Sequence, residues 1–393
     1  MLVLREVLRR GSVSAAARAA FVSQPAATQA VAALERYFGT ALFARTSAGM
    51  VPTEAGSLAA PRIERALELL REGVAEAARG TAARDAALRS VSVAQLETLV
   101  SVVEHTRFAA AARAAHRSRP TVHRAARTLE QRLGVVLFEA TSHGLQPTRE
   151  AVRLAHRTQR AFAEIDQARA EVLALRCAGT GGTVIGAMPL ARSILVPSAV
   201  LEFAEHYPAH QVSILDGPYE SLLHELRVGR TAFLVGALRE PAPFPDVVEE
   251  RLFDDPLALI VRAGHPLASQ RTMARDALLQ YSWIAPRAGS PLRRRFNEMF
   301  EKANLPLPTS PIECNSQVAS RALLTNSDRI MLLSALQVHQ ELQSGQLVAI
   351  PHPHGRVVRT IGLTIRRDWR PTAVQHDLLE AIRRTAARYA LEA

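Results

Sequence analysis

Apolar residues at the front of the chain fall at helical spacing, and the pattern is written twice. In residues 93–105, Leu96, Leu99, Val100 and Val103 mark one face of a helix. A helix of small residues follows over 109–115. Ser118 is placed to cap the next helix, and Pro120 fits its first turn, where no amide partner is lost. That helix is predicted to run to Leu133 and stop at Gly134. Val136, Leu137 and Phe138 then form a short strand, residues 141–144 turn, and 145–148 return. The same signals stand 95 positions earlier: Ser23-Gln24-Pro25 opens a helix, Gly39 ends it, Leu42-Phe43 is the strand and Ser47-Ala48-Gly49 the turn. Between residues 4–53 and 99–148, 21 of 50 aligned pairs are identical, without a gap. A solenoid unit runs roughly 20–50 residues, so this period marks a duplicated small domain. Met1 stands where Leu96 stands in the second copy. Either the first helix is short or the true start lies upstream.

Longer amphipathic stretches follow each copy. Ile63, Leu67, Leu70, Val74 and Ala77 repeat by four and three, as do Leu154, Thr158, Ala161, Ile165, Ala168, Val172 and Leu175. Each is a coiled-coil seam and needs a partner surface, in a second subunit or in the same chain. Residues 81–90 are a candidate flexible joint. Beyond Gly179 the texture changes. Strands are predicted at 183–186, 212–215, 233–235, 257–261, 283–284, 312–313, 330–332 and 360–365. Helices fall between them at 195–206, 222–228, 291–303, 317–325 and 335–343, and a last one at 373–391. Such alternation predicts a parallel α/β sheet. Asp254-Asp255 reads as a surface turn.

Composition narrows the function. The 393 residues allow roughly two to four domains, and 48 % apolar content suffices for packed cores. No apolar run is long enough to span a membrane, and the first residues carry charge where a signal peptide would be apolar. Cys177 and Cys314 are the only cysteines, so a reducing, cytoplasmic setting is expected. The net charge of +11 is unevenly placed: +9 in residues 1–178 and +2 in 179–393. A basic half joined to a nearly neutral half suggests a polyanion-binding part and a part with another task. No phosphate loop, nucleophile elbow or paired-cysteine motif is present, and His352 and His354 are too isolated for a metal site. Neither enzymatic activity nor a cofactor is expected.

The duplicated unit has the pattern of a winged helix-turn-helix. Its small-residue helix lets the following helix cross closely and be presented outward, toward a groove about 12 Å wide. In the second copy that helix carries Arg119, His123, Arg124 and Arg127; arginine can pair with guanine edges or neutralise phosphates. The bland alternative is a solvated helix face, which a second copy with the same turn chemistry makes less attractive.

Residues 12–53 resemble the LysR-type transcriptional regulators. The match lies in Ser14-Ala15-Ala16-Ala17-Arg18-Ala19-Ala20, Val22-Ser23-Gln24-Pro25-Ala26, Ala33-Leu34-Glu35, Gly39, Leu42-Phe43, Arg45-Thr46 and Pro52-Thr53-Glu54-Ala55-Gly56. The resemblance implies recognition helices beginning at Ser23 and Ser118, wings at 44–51 and 139–146, and a linker helix that pairs with a second subunit in a homodimer or homotetramer. The DNA-facing candidates are Ser23, Gln24, Pro25, Thr28, Gln29 and Arg45 in the first copy. In the second they are Ser118, Arg119, Pro120, Thr121, His123, Arg124 and Arg127. The copies depart differently: no cation lies between Ser23 and Ala33, whereas the second has Arg119 for the usual glutamine and Ala140 where the first has Arg45. Neutralising Arg119, Arg124 and Arg127 should therefore reduce salt dependence more than neutralising Arg18, Arg36 and Arg45.

The rear half resembles the family's effector domain, through Gly186, Pro189, Leu195-Val196-Pro197, Tyr207-Pro208, Leu226 with Gly229, Gly264-His265-Pro266-Leu267, Pro286, Gly289-Ser290-Pro291-Leu292-Arg293 and Ser327-Asp328. Ala232 departs from the usual aspartate. The resemblance implies a two-lobed fold like a small periplasmic binding protein, with crossovers near 262–265 and 351–359 and a ligand in the cleft. Ligands sit at strand ends and helix starts in such lobes, which makes Arg192, Ser193, Arg287, Ser290, Asn315 and Ser316 candidates for an effector site, with a carboxylate favoured. The serines can also be plain helix caps.

The expected architecture is thus multidomain, with two α-rich winged helix-turn-helix domains and an α/β two-lobed effector domain. Their bounds are 1–58 for the first head, 59–90 for a linker helix, 91–150 for the second head, 151–178 for a dimerisation linker helix and 182–393 for the effector domain. Within the last, lobe I is 182–262 with 356–393, and lobe II is 263–355. The expected function is sequence-specific regulation of transcription under a small-molecule effector, with promoter DNA and that effector as partners and no membrane. The alternative is a sensor or assembly protein whose heads no longer bind DNA.

Overall fold

The computed structural model describes residues 1–392 except 48, 78–89, 106–107, 115–116, 142–143, 176–180, 240–241, 243 and 270–277. The chain forms two compact units that divide near Gly182.

The front unit builds one small motif twice. Helices α1 (Leu2–Arg10), α2 (Val13–Ala19) and α3 (Gln24–Phe38) lead into a hairpin of β1 (Phe43–Thr46) and β2 (Gly49–Pro52), then α4 (Glu54–Ala77). The second series is α5 (Val93–His105), α6 (Phe108–Ala114), α7 (Arg119–Leu133), β3 (Phe138–Thr141), β4 (Gly144–Pro147) and α8 (Arg149–Ala174). Local chemistry explains the boundaries. Ser23 and Ser118 cap α3 and α7 by accepting from Ala26 N and Thr121 N at 3.3 Å. Gly39 and Gly134 end these helices in the left-handed region, at φ 71° and 66°. Ala16, Ala17, Ala111 and Ala112 are buried, so α2 and α6 are closely crossed by their neighbours.

The two linker seams find their partner in the same chain. Helices α4 and α8 run antiparallel along one another, burying Ile63, Ala66, Leu67, Leu70, Val74, Leu154, Ala161, Ala168 and Val172. Within the chain, the apolar face of each helix is covered by the other. The expected joint at 81–90 lies outside the described residues, save Ser90.

The rear unit holds a sheet of order β10-β9-β11-β8-β13-β7-β5-β6, with β12 also on β8. Its strands are β5 (Gly181–Ala187), β6 (His210–Leu215), β7 (Phe233–Ala237), β8 (Val247–Arg262), β9 (Trp283–Ala285), β10 (Ile312–Glu313), β11 (Ile330–Ser334), β12 (Leu347–Pro351) and β13 (Val358–Arg366). The helices are α9 (Val196–His206), α10 (Tyr219–Arg227), α11 (Pro291–Lys302), α12 (Gln317–Thr325), α13 (His339–Gln343) and α14 (Ala373–Glu392). The sheet is mixed, not parallel throughout. β5 with β7 and β9 with both β10 and β11 are parallel, while the long strands β8 and β13 run against their neighbours. β8 pairs with β13 as far as Pro256, with β11 from Leu257 and with β12 from Ala258, so it passes between the two strand groups earlier than residues 262–265. That path corrects the reading of Asp254-Asp255 as a surface turn: both lie within β8, and Asp255 is 1 % exposed. Separate apolar cores cover the two groups, one around Phe233, Leu363 and Ile382 and one around Trp283, Phe296 and Phe300.

Candidate nucleic-acid interface and effector site

The two helices singled out by sequence present their first turns to solvent. Ser23, Gln24, Pro25, Thr28 and Gln29 are exposed on α3, and Ser118, Arg119, Pro120, Thr121, His123, Arg124 and Arg127 on or just before α7. Arg45 is exposed on β1. Arg119, Pro120, His123, Arg124 and Arg127 line an open concavity of about 510 Å³. The residues behind these faces explain the presentation. Ala27, Val31 and Phe38 of α3, and Val122, Ala126, Leu129 and Leu133 of α7, are buried, which turns the intervening positions outward.

Charge is distributed unevenly on these faces. The side chains of Arg119 and Arg124 form no ion pair among the described residues, whereas Arg127 pairs with Glu130 at 2.7 Å. The imidazole of His123 lies 5.6 Å from the Phe108 ring. On α3 the positions aligned with Arg119 and Arg124 hold the neutral amides Gln24 and Gln29, and Thr28 donates back to Gln24 O at 3.0 Å.

Glu35 and Thr53 enter the sequence analysis only as parts of the repeated pattern, and the structure adds what they and their counterparts Glu130 and Thr148 hold. Glu35 Oε1 accepts from Leu42 N at 2.9 Å and Phe43 N at 3.3 Å. Glu130 Oε1 accepts from Leu137 N at 2.9 Å and Phe138 N at 3.0 Å. Each carboxylate thus ties its outward helix to the adjoining hairpin. Thr53 and Thr148 close the far side, donating to Ala41 O at 2.9 Å and Val136 O at 3.2 Å while capping α4 and α8. The signal was available: Glu and Thr are retained in both copies where neither faces outward as a reader.

The candidates of the rear unit fall into two neighbourhoods. Ser290 and Ser316 cap α11 and α12, accepting from Arg293 N at 3.1 Å and Ala319 N at 3.3 Å. Cys314 N donates to Ala285 O at 3.0 Å, which sets the start of α12 beside the 286–290 turn. Arg287 and Asn315 are exposed there. Ser193 is not a cap. It lies in a π-turn (Ala191–Leu195), donates to Pro189 O at 2.7 Å and accepts from Gln317 Nε2. Arg192 is taken by Asp216, at 2.6 Å. Sequence reading missed the polar chain behind this neighbourhood. Gln317 and Arg321 both donate to Gln337 O at 2.9 Å, and Arg359 donates to Gln337 Oε1 at 2.6 Å and Asp255 Oδ2 at 2.7 Å. Ser334 donates to Asp255 Oδ1 at 2.6 Å. The clue was a serine and an aspartate inside apolar strands, where a buried polar group requires a partner.

Comparison with known proteins matches these two halves separately. The family of bacterial regulatory helix-turn-helix proteins, lysR family, matches residues 1–57 and 93–152. The LysR substrate binding domain matches residues 179–387. The HTH-type transcriptional regulator GalR of Pseudomonas putida is 34 % identical over 360 residues, 92 % of this chain and 90 % of that protein. PcaQ of Agrobacterium fabrum, another HTH-type transcriptional regulator, is 30 % identical over 74 % of this chain and 94 % of its own. Among solved structures, CbnR, a LysR family transcriptional regulator, aligns with TM-score 0.53 at 20 % identity, over 75 % of this chain and 99 % of its own. A full-length OxyR variant from Pseudomonas aeruginosa aligns with TM-score 0.51 at 20 % identity, over 75 % and 94 %. With a DNA-binding helix-turn-helix in front and a substrate-binding α/β domain behind, the chain belongs to the LysR family of transcriptional regulators.

Proposed function

We propose that both copies of the repeated unit are winged helix-turn-helix heads, and that this regulator grips promoter DNA with the two together. The observation that carries the reading is the pair of capped, proline-started helices whose first turns face solvent with polar or cationic side chains. Ser23, Gln24, Pro25, Thr28, Gln29 and Arg45 act in one head; Ser118, Arg119, Pro120, Thr121, His123, Arg124 and Arg127 act in the other. The domain bounds are those read from sequence, with lobe I beginning near 182 and the heads ending near 58 and 150, except that the first crossover lies within β8 at 256–257.

The rear domain senses a small molecule that biases one arrangement of the chain over another. Ser193, Arg287, Ser290, Asn315 and Ser316 form its site, with Arg192 released from Asp216 on binding. Amides at two helix starts and an exposed Arg287 favour a carboxylate. Assembly of copies uses the rear domain. Its edge strand β6 exposes Ile214 and Leu215, and α9 exposes Leu201 at 70 %. No described helix is long and apolar enough to cross a membrane, and a promoter-binding regulator works in the cytoplasm.

A gel-shift titration on the intergenic DNA flanking its gene tests the DNA reading. Retention weakened when Arg119 and Arg124 become Ala, and weakened also when Gln24 and Gln29 become Ala, is expected. Retention indifferent to one pair shows that head to be idle and returns the molecule to a one-headed regulator. A thermal-shift screen of small carboxylates tests the site: a stabilising acid should lose its effect in Arg287→Ala, and an unaffected response would remove that residue from the site.

A further inference from the structure

We infer that one chain, rather than a pair of subunits, reads a complete DNA element, and that the element is two unlike half-sites in fixed order. Gln24 and Gln29 read adenine in one, and Arg119 and Arg124 read guanine in the other. The inference rests on the two-headed reading above.

Its first support is the symmetry of the α4–α8 contact. In a two-fold dimer a contact from residue i to residue j is matched by one from j to i. Within a chain whose copies are offset by 95, the test is whether contacts come in mated pairs. Two do. Arg62 binds Glu171 at 2.8 Å, and Arg157 binds Glu76 at 2.7 Å; subtracting the offset turns each pair into the other. Arg62 also donates to Gln167 at 2.9 Å, and Arg157 binds Glu72 at 2.8 Å; these are mates as well. Ala66 and Ala161, one offset apart, are both fully buried at the contact. The front unit is thus a dimer folded into one chain. Its seam is filled, so the pair of heads that a family member would assemble from two subunits is complete here without a second.

The second support is that the halves are not alike where DNA would lie. Positions 24 and 29 align with 119 and 124, so glutamine replaces arginine at both places. Glutamine matches the donor and acceptor of an adenine edge, and arginine the two acceptors of guanine. The packing breaks symmetry too. Tyr37 on α3 donates to Asp166 on α8, and Arg169 lies 4.8 Å over its ring. The mated positions, 132 and 71, are both arginine and cannot form that bond; Arg132 instead donates to Gln95 at 3.1 Å. A symmetric dimer demands a palindrome. An asymmetric one does not.

Selection of the full chain against a random-sequence duplex library, with sequencing of the retained DNA, tests this. The expected motif has two half-sites without dyad symmetry, one rich in adenine and one holding guanine. Arg119→Gln with Arg124→Gln should make the halves alike and lower affinity for the native motif on the order of tenfold or more. A palindrome from the native chain overturns the inference and leaves DNA binding intact. No enrichment of any sequence overturns both. A cis–trans test guards the seam: Arg62→Glu combined with Glu171→Arg in one chain should restore binding, whereas mixing the two single variants should not. Restoration by mixing would place the seam between subunits and overturn the inference. Should the Arg62 variants fail to fold, Arg157→Glu and Glu76→Arg, a more exposed mated pair, carry the same comparison.

Discussion

Glu130 does two jobs at one carboxyl group, and both can be measured. Its Oε1 accepts the two buried amides of Leu137 and Phe138 at the start of β3, while Oε2 holds Arg127. Replacing it with Ala leaves those amides unpaired and should cost about 2–3 kcal/mol in denaturant unfolding. A loss below about 0.5 kcal/mol would mean that the hairpin is held by other means. His352 offers a second residue-scale prediction. Burial first, then the nearby charges of His354 and Lys302, lowers its pKa from 6.5 to about 4. The unfolded chain takes up that proton near pH 6.5 while the folded one resists it to about pH 4. Stability contributed by the neutral ring is therefore present above pH 6.5 and lost as pH falls toward 4. His352→Asn should flatten the unfolding midpoint across that window. An unchanged pH profile would assign the slope to other groups.

At the scale of elements, the α4–α8 pair is the strongest structural commitment of the front unit. Arg62 is 6 % exposed between Glu164, Glu171 and Gln167. Burial opposes its charge, but hydrogen bonds and attraction from Glu171 and Glu164 outweigh that and raise its pKa. Removing one partner strands buried charge, so Arg62→Leu alone should destabilise the unit by roughly 3–5 kcal/mol. Changing Glu164 and Glu171 to Gln in the same chain should recover much of the loss; no recovery would show that shape, not charge, dominates. These elements also show how far sequence reading reaches. The caps at Ser23 and Ser118, the stops at Gly39 and Gly134 and the two seams were legible because each depends on chemistry within a few residues. What the seams faced was not legible, since a heptad pattern is the same whether its partner lies in another subunit or 95 residues away. Asp255 was misread for a like reason. A polar pair normally marks a turn, and only the arrival of Arg359 and Ser334 from distant strands makes its burial tolerable. Ser193 looked like a cap but is a π-turn residue whose hydroxyl donates back to Pro189 O.

For the whole molecule, the prediction concerns how the uneven charge is used. On DNA without a matching sequence, arginines rest on phosphates and release counterions. Arg119 and Arg124 are unpaired among the described residues, while Arg127 is bound to Glu130. Replacing the first two with Ala should therefore reduce the slope of log affinity against log salt by roughly 2 on such DNA. Replacing Arg127 should change it less. The central claim, that the front unit holds DNA with both heads, is tested most directly by footprinting the full chain at low ionic strength on the intergenic DNA beside its gene. The account predicts a protected stretch that spans two half-sites and shrinks to one when Arg119 and Arg124 are replaced. A footprint of unchanged length in that variant, or no protection by the native chain, would contradict it.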